Sequence, residues 1–217
     1  MTITAFYPVL DTELLARRGL AVVDAAEALL EAGAGILQLR HKTFFSRDAF
    51  ETANRIAALC RDAQALFVIN DRADIAMLLP AALHLGQEDL PPADARRIMA
   101  PAAIIGFSTH NERQLRSGDQ EPVDYLAIGP IFRTASKQNP DPVVGVDRLR
   151  ELRAVTGKPL VAIGGITRAT APTVFEAGAD SVAIIGDLLP EPLTKASLRA
   201  RTEEWLAICS SRRSRRP

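Results

Sequence analysis

Apolar residues follow two alternating rhythms along this chain. Short runs rich in Val, Ile and Leu recur, and between them lie longer stretches in which apolar residues return every three or four positions. The first rhythm belongs to buried strands and the second to helices that bury one face. Eight runs read as strands, at 5–10, 36–40, 66–70, 82–85, 104–107, 125–129, 160–163 and 181–185, with helical patterns between them such as 21–31, 47–62 and 171–177. Strands alternating with helices make βα units around a parallel sheet, so the class is α/β. Eight such strands in 217 residues predict a single (β/α)8 TIM barrel over residues 1–209, with a flavodoxin-like open sheet as the alternative.

Two strings support repeated βα units. E-A-G-A-G-I-L-Q-L from Glu31 and E-A-G-A-D-S-V-A-I from Glu176 each close a helix with glycine and enter a strand a few residues later. Gly33 and Gly178 are therefore expected as left-handed caps just past their helices. The first string half matches a dinucleotide fingerprint, but its glycines follow a helix rather than a strand and the third is missing, so that reading is rejected.

Charge narrows the partners. Lys plus Arg equals Asp plus Glu, 26 against 26, so no global field draws the chain to nucleic acid or to an anionic membrane. The one basic cluster, residues 210–217, is expected as a solvated, frayed tail without function. Cys60 and Cys209 lack C-x-x-C spacing and a neighbouring histidine, which argues against a disulfide framework or structural zinc. The chain opens without a basic segment followed by an apolar one, and no uncharged apolar run approaches the roughly 20 residues that span a bilayer. A soluble cytoplasmic protein is the expectation, with oligomeric state left open.

In a parallel α/β sheet, ligands meet the C-terminal ends of the strands. Polar residues collect there: Gln38, Arg40 and Lys42 after strand two, Asn70 and Asp71 after strand three, and His84, Gln87, Glu88 and Asp89 around strand four. Strand five leads into Ser108, Thr109 and His110, and strand six stops at Gly129-Pro130 before Thr134, Ser136 and Lys137. Pro130 should end the ladder, and the hydroxyls and ammonium beyond it suit a phosphate. Arg40, Lys42 and Lys137 can hold a highly charged leaving group, Arg40 through its planar fork. Asp71 and Asp89 form the type of oxygen pair that binds Mg2+ together with substrate phosphate; helix N-capping is the plainer role for each. Gly164 and Gly165 after strand seven, with Gly186 after strand eight, supply backbone N–H groups for a second anion. His84 is expected inside, His41 away from the mouth, and His110 is the one histidine considered for acid–base work. No Ser-His-Asp or Cys-His grouping offers a covalent nucleophile.

Six motifs stand in one order: Q-L-R-H-K at 38–42, I-N-D-R at 69–72, H-L-G-Q-E-D-L at 84–90, G-F-S-T-H at 106–110, G-P-I-F-R-T-A-S-K at 129–137 and I-G-G-I-T at 163–167. Together they resemble the thiamine phosphate synthase family. The resemblance implies a (β/α)8 barrel that joins 4-amino-2-methyl-5-hydroxymethylpyrimidine diphosphate to thiazole phosphate, giving thiamine phosphate and pyrophosphate with Mg2+ as cofactor. It gives Gln38 to the aminopyrimidine or its diphosphate, and Arg40, Lys42, Asn70 and Lys137 to the diphosphate. Asp71 and Asp89 match its metal ligands and Ser108 a substrate-binding serine. Thr134 and Ser136 match hydroxyls near the thiazole phosphate, Gly165 a backbone phosphate donor, and Ile185 with Gly186 the strand-eight phosphate loop. The catalytic roles fall to Arg40, Lys42, Ser108 and Lys137.

The departures from that pattern are Ser136 in place of threonine, Gly186 in place of serine, Arg133 in place of proline, and the opening Y-P-V-L-D. The loss of a hydroxyl at Gly186 predicts weaker thiazole phosphate binding rather than a lost reaction. Three rivals share the barrel. A thiazole tautomerase-like relative would use His110, a non-catalytic phosphate-ligand binding relative would bind without turnover, and a phosphate-handling isomerase would share the late glycines but leave Asp71 and Asp89 unexplained.

Overall fold

In the computed structural model, which describes residues 3–134 and 141–211, eight parallel strands close into a barrel in chain order. They are β1 (Phe6–Asp11), β2 (Ile36–Arg40), β3 (Leu66–Asn70), β4 (Ala82–Leu85), β5 (Ile105–Thr109), β6 (Tyr125–Ile128), β7 (Leu160–Ile163) and β8 (Ser181–Ile184). Closure is made by β1 on β8, with Phe6 opposite Val182 and Pro8 opposite Ile184, which excludes the open sheet. Helices α1 (Thr12–Arg17), α2 (Val22–Glu31), α3 (Arg47–Asp62), α4 (Ala73–Leu78), α5 (Pro92–Ile98), α6 (Glu112–Asp119), α7 (Val146–Leu152), α8 (Ala171–Glu176) and α9 (Lys195–Ser211) lie along the chain between and after the strands. Among the described residues no helix is long and apolar enough to cross a membrane.

Strand alternation separates two cores. Phe6, Leu37, Ile69, Leu83, Leu126, Leu160 and Val182 pack outward with the helices, whereas Tyr7, Val9, Ile36, Val68, Ala82, Tyr125, Ala127, Val161 and Ala183 fill the barrel. Successive side chains of a strand point to opposite faces, so Gln38, Arg40, Asn70, His84 and Ser108 share the parity of the interior set. The interior is apolar at its floor and polar toward the C-terminal rim. Trp205 of α9 stacks on Phe6 with ring centroids 5.8 Å apart, seating the last helix against β1.

Local signals place the helices. Asp11, Ser46 and Asn111 accept the N–H groups of Leu14, Ala49 and Gln114, capping α1, α3 and α6. Gly33 and Gly178 have φ of 99° and 102°, and Ala34 and Ala179 donate back to Leu29 and Val174, so both expected glycine caps form.

Several expectations need correction. β5 runs two residues further than the apolar run, to Thr109, because the Thr109 hydroxyl bonds the Ala127 carbonyl at 2.8 Å and stays buried. β6 stops at Ile128, just before Gly129-Pro130, as expected, although beyond its end Ile131 N–H bonds the Ile163 carbonyl and Phe132 N–H the Gly164 carbonyl, both at 2.9 Å. A proline removes one donor, and the residues after it still reach β7. Ser210 and Ser211 belong to α9 rather than to a tail. The rest of the basic segment, 212–217, and the site candidates Ser136 and Lys137 lie outside the described residues.

Candidate active site

At the ends of β1 and β2, Asp11 and Arg40 are register partners and their side chains form an ion pair. Asp11 is 7% exposed and its other oxygen caps α1 at 2.8 Å, so the carboxylate is held on two sides and fixes the guanidinium. Two residues on, the exposed Lys42 pairs with Asp71, which follows β3.

Asp71 sits at φ 66°, the left-handed region, with its N–H bonded to the His84 carbonyl at 2.8 Å. Aspartate tolerates this backbone better than most residues, and such positions gather at functional sites. The cap of α4 is Arg72 and that of α5 is Pro91, so neither Asp71 nor Asp89 serves as a helix N-cap. Asp89 accepts the Gly86 N–H at 2.7 Å and lies against the Asp71 carboxyl. Burial first, then the hydrogen bond with Asp89, push the Asp71 carboxyl up to about 6 from its ordinary 3.8, against the opposing pull of Lys42.

Two carboxylates pressed together beside an ammonium fit a divalent cation, which would relieve their repulsion. Among the described residues no group of three or more His, Cys, Asp and Glu is close enough to hold a metal, so any ion here needs further oxygens from ligand phosphate or water. Asn70, one residue before Asp71, is 8% exposed and its Nδ2 has no hydrogen-bond partner among the described residues. A buried donor left unmet at a strand end suits an anionic ligand.

Deeper in the barrel, Gln38, Tyr7, Tyr125, His84 and Ser108 join in one hydrogen-bonded line. The Tyr125 ring lies where a Cβ on Gly106 would fall, so Gly106 makes room for it. Gln87 Nε2 donates to the Ser108 carbonyl at 2.6 Å. His110, after β5, bonds the Gly129 carbonyl through Nδ1 at 2.6 Å and lies 3.5 Å from Asp141. His41 turns outward to Thr12 and the Phe44 carbonyl, as strand parity predicts.

The opposite side of the rim is backbone. Gly164 and Gly165 have φ of 97° and 64°; a Cβ on Gly165 would overlap the Arg133 carbonyl oxygen and lie 2.8 Å from Phe132 Cβ. The loops after β6 and β7 thus touch at Gly165, and half-buried Thr134 follows directly. Ile185 packs against the barrel interior, and the exposed Gly186 has open space where a Cβ would stand.

The rim therefore pairs Lys42 with Asp71 and Asp71 with Asp89, pairs Arg40 separately with Asp11, and lines Gln38 up with Ser108. The expected set omits Asp11, Tyr7 and Tyr125. Asp11 ends β1 as Arg40 ends β2, a signal open to the strand-end rule, and the chain's two tyrosines both have interior parity.

The family model of thiamine monophosphate synthase matches residues 6–188. A thiamine-phosphate synthase from Koribacter versatilis is 49% identical over 187 residues, spanning 86% of this chain and 85% of that protein. Another from Laribacter hongkongensis is 40% identical over 204 residues, 93% of each. The solved thiamine phosphate pyrophosphorylase from Pyrococcus furiosus superimposes with a TM-score of 0.82 at 30% identity, over 95% of this chain and 96% of that one. The chain belongs to the thiamine monophosphate synthase family, and its activity is thiamine-phosphate synthesis.

Proposed function

We propose that the rim from β2 to β5 binds 4-amino-2-methyl-5-hydroxymethylpyrimidine diphosphate, and that the glycine loops after β7 and β8 bind thiazole phosphate. The observation that carries this reading is the pairing of Lys42 with Asp71, which touches Asp89, beside the unpartnered Asn70 amide, with Arg40 held by Asp11 at the neighbouring strand end. Arg40, Lys42 and Asn70 donate to the diphosphate, with Lys137 added from sequence alone. Asp71 and Asp89 would hold Mg2+, which when bound neutralises charge on the diphosphate oxygens as pyrophosphate departs.

Gln38 and Ser108 orient the aminopyrimidine. Thr134, with Ser136 from sequence alone, and the backbone of Gly165, Ile185 and Gly186 hold the phosphate of the thiazole. The reaction breaks the C–O bond to the diphosphate and leaves a methylene cation stabilised by the electron-rich aminopyrimidine. The thiazole nitrogen then forms the new C–N bond. The protein supplies fixed charge and alignment and forms no adduct. A single catalytic barrel over 1–209, acting in the cytoplasm on small molecules and not on nucleic acid or membrane, is consistent with the balanced charge.

The test is an assay with both substrates and Mg2+. Thiamine phosphate and pyrophosphate should appear together, whereas a tautomerase-like relative would release no pyrophosphate. Near-normal turnover of both Lys42→Ala and Asp71→Ala at saturating Mg2+ would refute the assignment.

A further inference from the structure

Five side chains from five strands make one line across the barrel interior. Gln38 Nε2 donates to the Tyr7 hydroxyl at 2.8 Å, and that oxygen lies 2.8 Å from the Tyr125 hydroxyl. The Tyr125 oxygen is 2.9 Å from His84 Nδ1, and His84 Nε2 is 2.8 Å from Ser108 Oγ. The two ends are the residues given above to the aminopyrimidine, whereas the three middle groups have no role in it. Tyr7 is 1% exposed and Tyr125 0%, so bulk water does not reach in to repair a mismatch of donors.

Each phenol has one proton and, in this line, two partners. Once the Gln38 amide donates to Tyr7, the Tyr7 proton goes to Tyr125 and the Tyr125 proton to His84 Nδ1. The imidazole then carries its own proton on Nε2 and gives it to Ser108, whose hydrogen is left to point out of the line. If the amide is turned over, every step reverses, and Ser108 gives its hydrogen to His84. In both states the outer end of the amide and the outer side of the hydroxyl have opposite character. Amide oxygen outward goes with a Ser108 donor; amide nitrogen outward goes with a Ser108 acceptor.

We propose that Tyr7, Tyr125 and His84 are positioning residues of a polar relay that makes Gln38 and Ser108 a matched acceptor and donor. With Gln38 Nε2 turned to Tyr7, as in this structure, the amide oxygen and the Ser108 donor face outward, and the relay held in that state selects a pyrimidine edge with an amino group beside a bare ring nitrogen over one with an oxo group beside a ring N–H. The choice of ligand rests on the pyrimidine assignment above; the relay itself does not. A ligand edge of the opposite polarity must either turn the amide and reverse all four hydrogen bonds of the line or leave a buried donor unmet, a cost of about tenfold or more in affinity.

The relay is read by 15N NMR of His84 in the ligand-free protein, assigned against His84→Gln. The wild-type proton should sit on Nε2. In Gln38→Glu, measured in alkaline solution with the introduced carboxyl shown ionised by its 13C signal, that end only accepts, and the His84 proton should move to Nδ1. Adding Tyr125→Phe, which keeps the ring beside Gly106, should abolish the response. An unchanged proton position in ionised Gln38→Glu, or a response that survives Tyr125→Phe, overturns the relay. Selectivity is read separately, by competition between the amino and the oxo pyrimidine diphosphates. Tyr125→Phe should lower it about tenfold with the KM for thiazole phosphate unmoved. A responsive His84 with unchanged selectivity rejects the pyrimidine assignment and keeps the relay.

Discussion

The two sides of the barrel rim differ in what they present to a ligand. On the β1–β4 side, charged side chains neutralise one another: Arg40 by Asp11, and Lys42 by Asp71, with Asp89 against Asp71. On the β6–β8 side, backbone approaches backbone through Gly164 and Gly165, with half-buried Thr134 next in the chain after Arg133. The charged side holds its cations in place before any ligand arrives, so a ligand must exchange partners with existing ion pairs. The glycine side has no such exchange to make and depends on loop shape. Sensitivity to charge should therefore concentrate on one side and sensitivity to side-chain volume on the other.

The largest effect is expected at Asp71. Asp71→Ala should lower kcat/KM for the pyrimidine diphosphate by about 10²–10³-fold, the scale of losing a preorganised electrostatic group, while the KM for thiazole phosphate stays within about twofold. Pyrophosphate release at varied Mg2+ reads both. The same residue carries a stability effect of opposite sign. The folded carboxyl titrates near 6 against an ordinary 3.8, so between these values the folded state binds more protons than the unfolded state. This contribution is fully favourable below about 4 and is lost as pH rises through about 6. In chelator-treated protein, Asp71→Asn should be more stabilising relative to wild type at pH 8 than at pH 4. Equal differences at both ends would mean that burial and the contact with Asp89 do not raise the Asp71 carboxyl.

Gly165→Ala probes the other side. Its φ of 64° and the overlap of a Cβ with the Arg133 carbonyl force the loop after β6 or β7 to move. We expect a stability loss above about 1 kcal/mol and a KM for thiazole phosphate raised about tenfold, with the pyrimidine KM little changed. A rise in the pyrimidine KM of the same size would erase the division of the rim.

How far each side is legible in the sequence follows from the same contrast. The ends of β2, β3, β4 and β7 fall where the apolar runs place them, since a buried run stops where polar residues begin. β5 escapes this rule because Ser108 and Thr109 stay in the ladder, their hydroxyls bonded to His84 and to the Ala127 carbonyl. Arg40, Lys42, Asp71 and Asp89 are recognisable by type and position. Their mutual pairing is not, because a strand-end rule gives no side-chain partners. Asp11 shows the gap: as the last residue of β1 it could be flagged, but the helix cap and the ion pair to Arg40 exist only once β1 and β2 are in register. The interior line from Gln38 to Ser108 is hidden for the same reason, since it crosses five strands.

Asp11 offers a smaller, cleaner test of the charged side. Asp11→Asn keeps an oxygen to cap α1 but removes the charge that fixes Arg40, so the pyrimidine diphosphate KM should rise about fivefold with stability almost unchanged. Asp11→Ala should show the same KM and lose about a further 1 kcal/mol in denaturant unfolding, because the cap goes as well. If the two variants differ in KM rather than in stability, Asp11 acts through the helix and not through the guanidinium.

The smallest expected change runs in the favourable direction. Among the described residues, no atom beyond its two chain neighbours lies within 4 Å of a Cβ built on Gly186, so Gly186→Ser adds a hydroxyl without displacing them. If the loop after β8 faces the thiazole phosphate, that hydroxyl adds one donor worth about 0.5–1 kcal/mol, and the KM for thiazole phosphate should fall about two- to fivefold. Gly186→Ala fills the same space without a donor and should leave KM where it is, which separates hydrogen bonding from loop stiffening. A fall in KM with both variants would assign the gain to reduced backbone freedom, and no fall with serine would place the phosphate away from β8, leaving Gly165 and Thr134 to hold it.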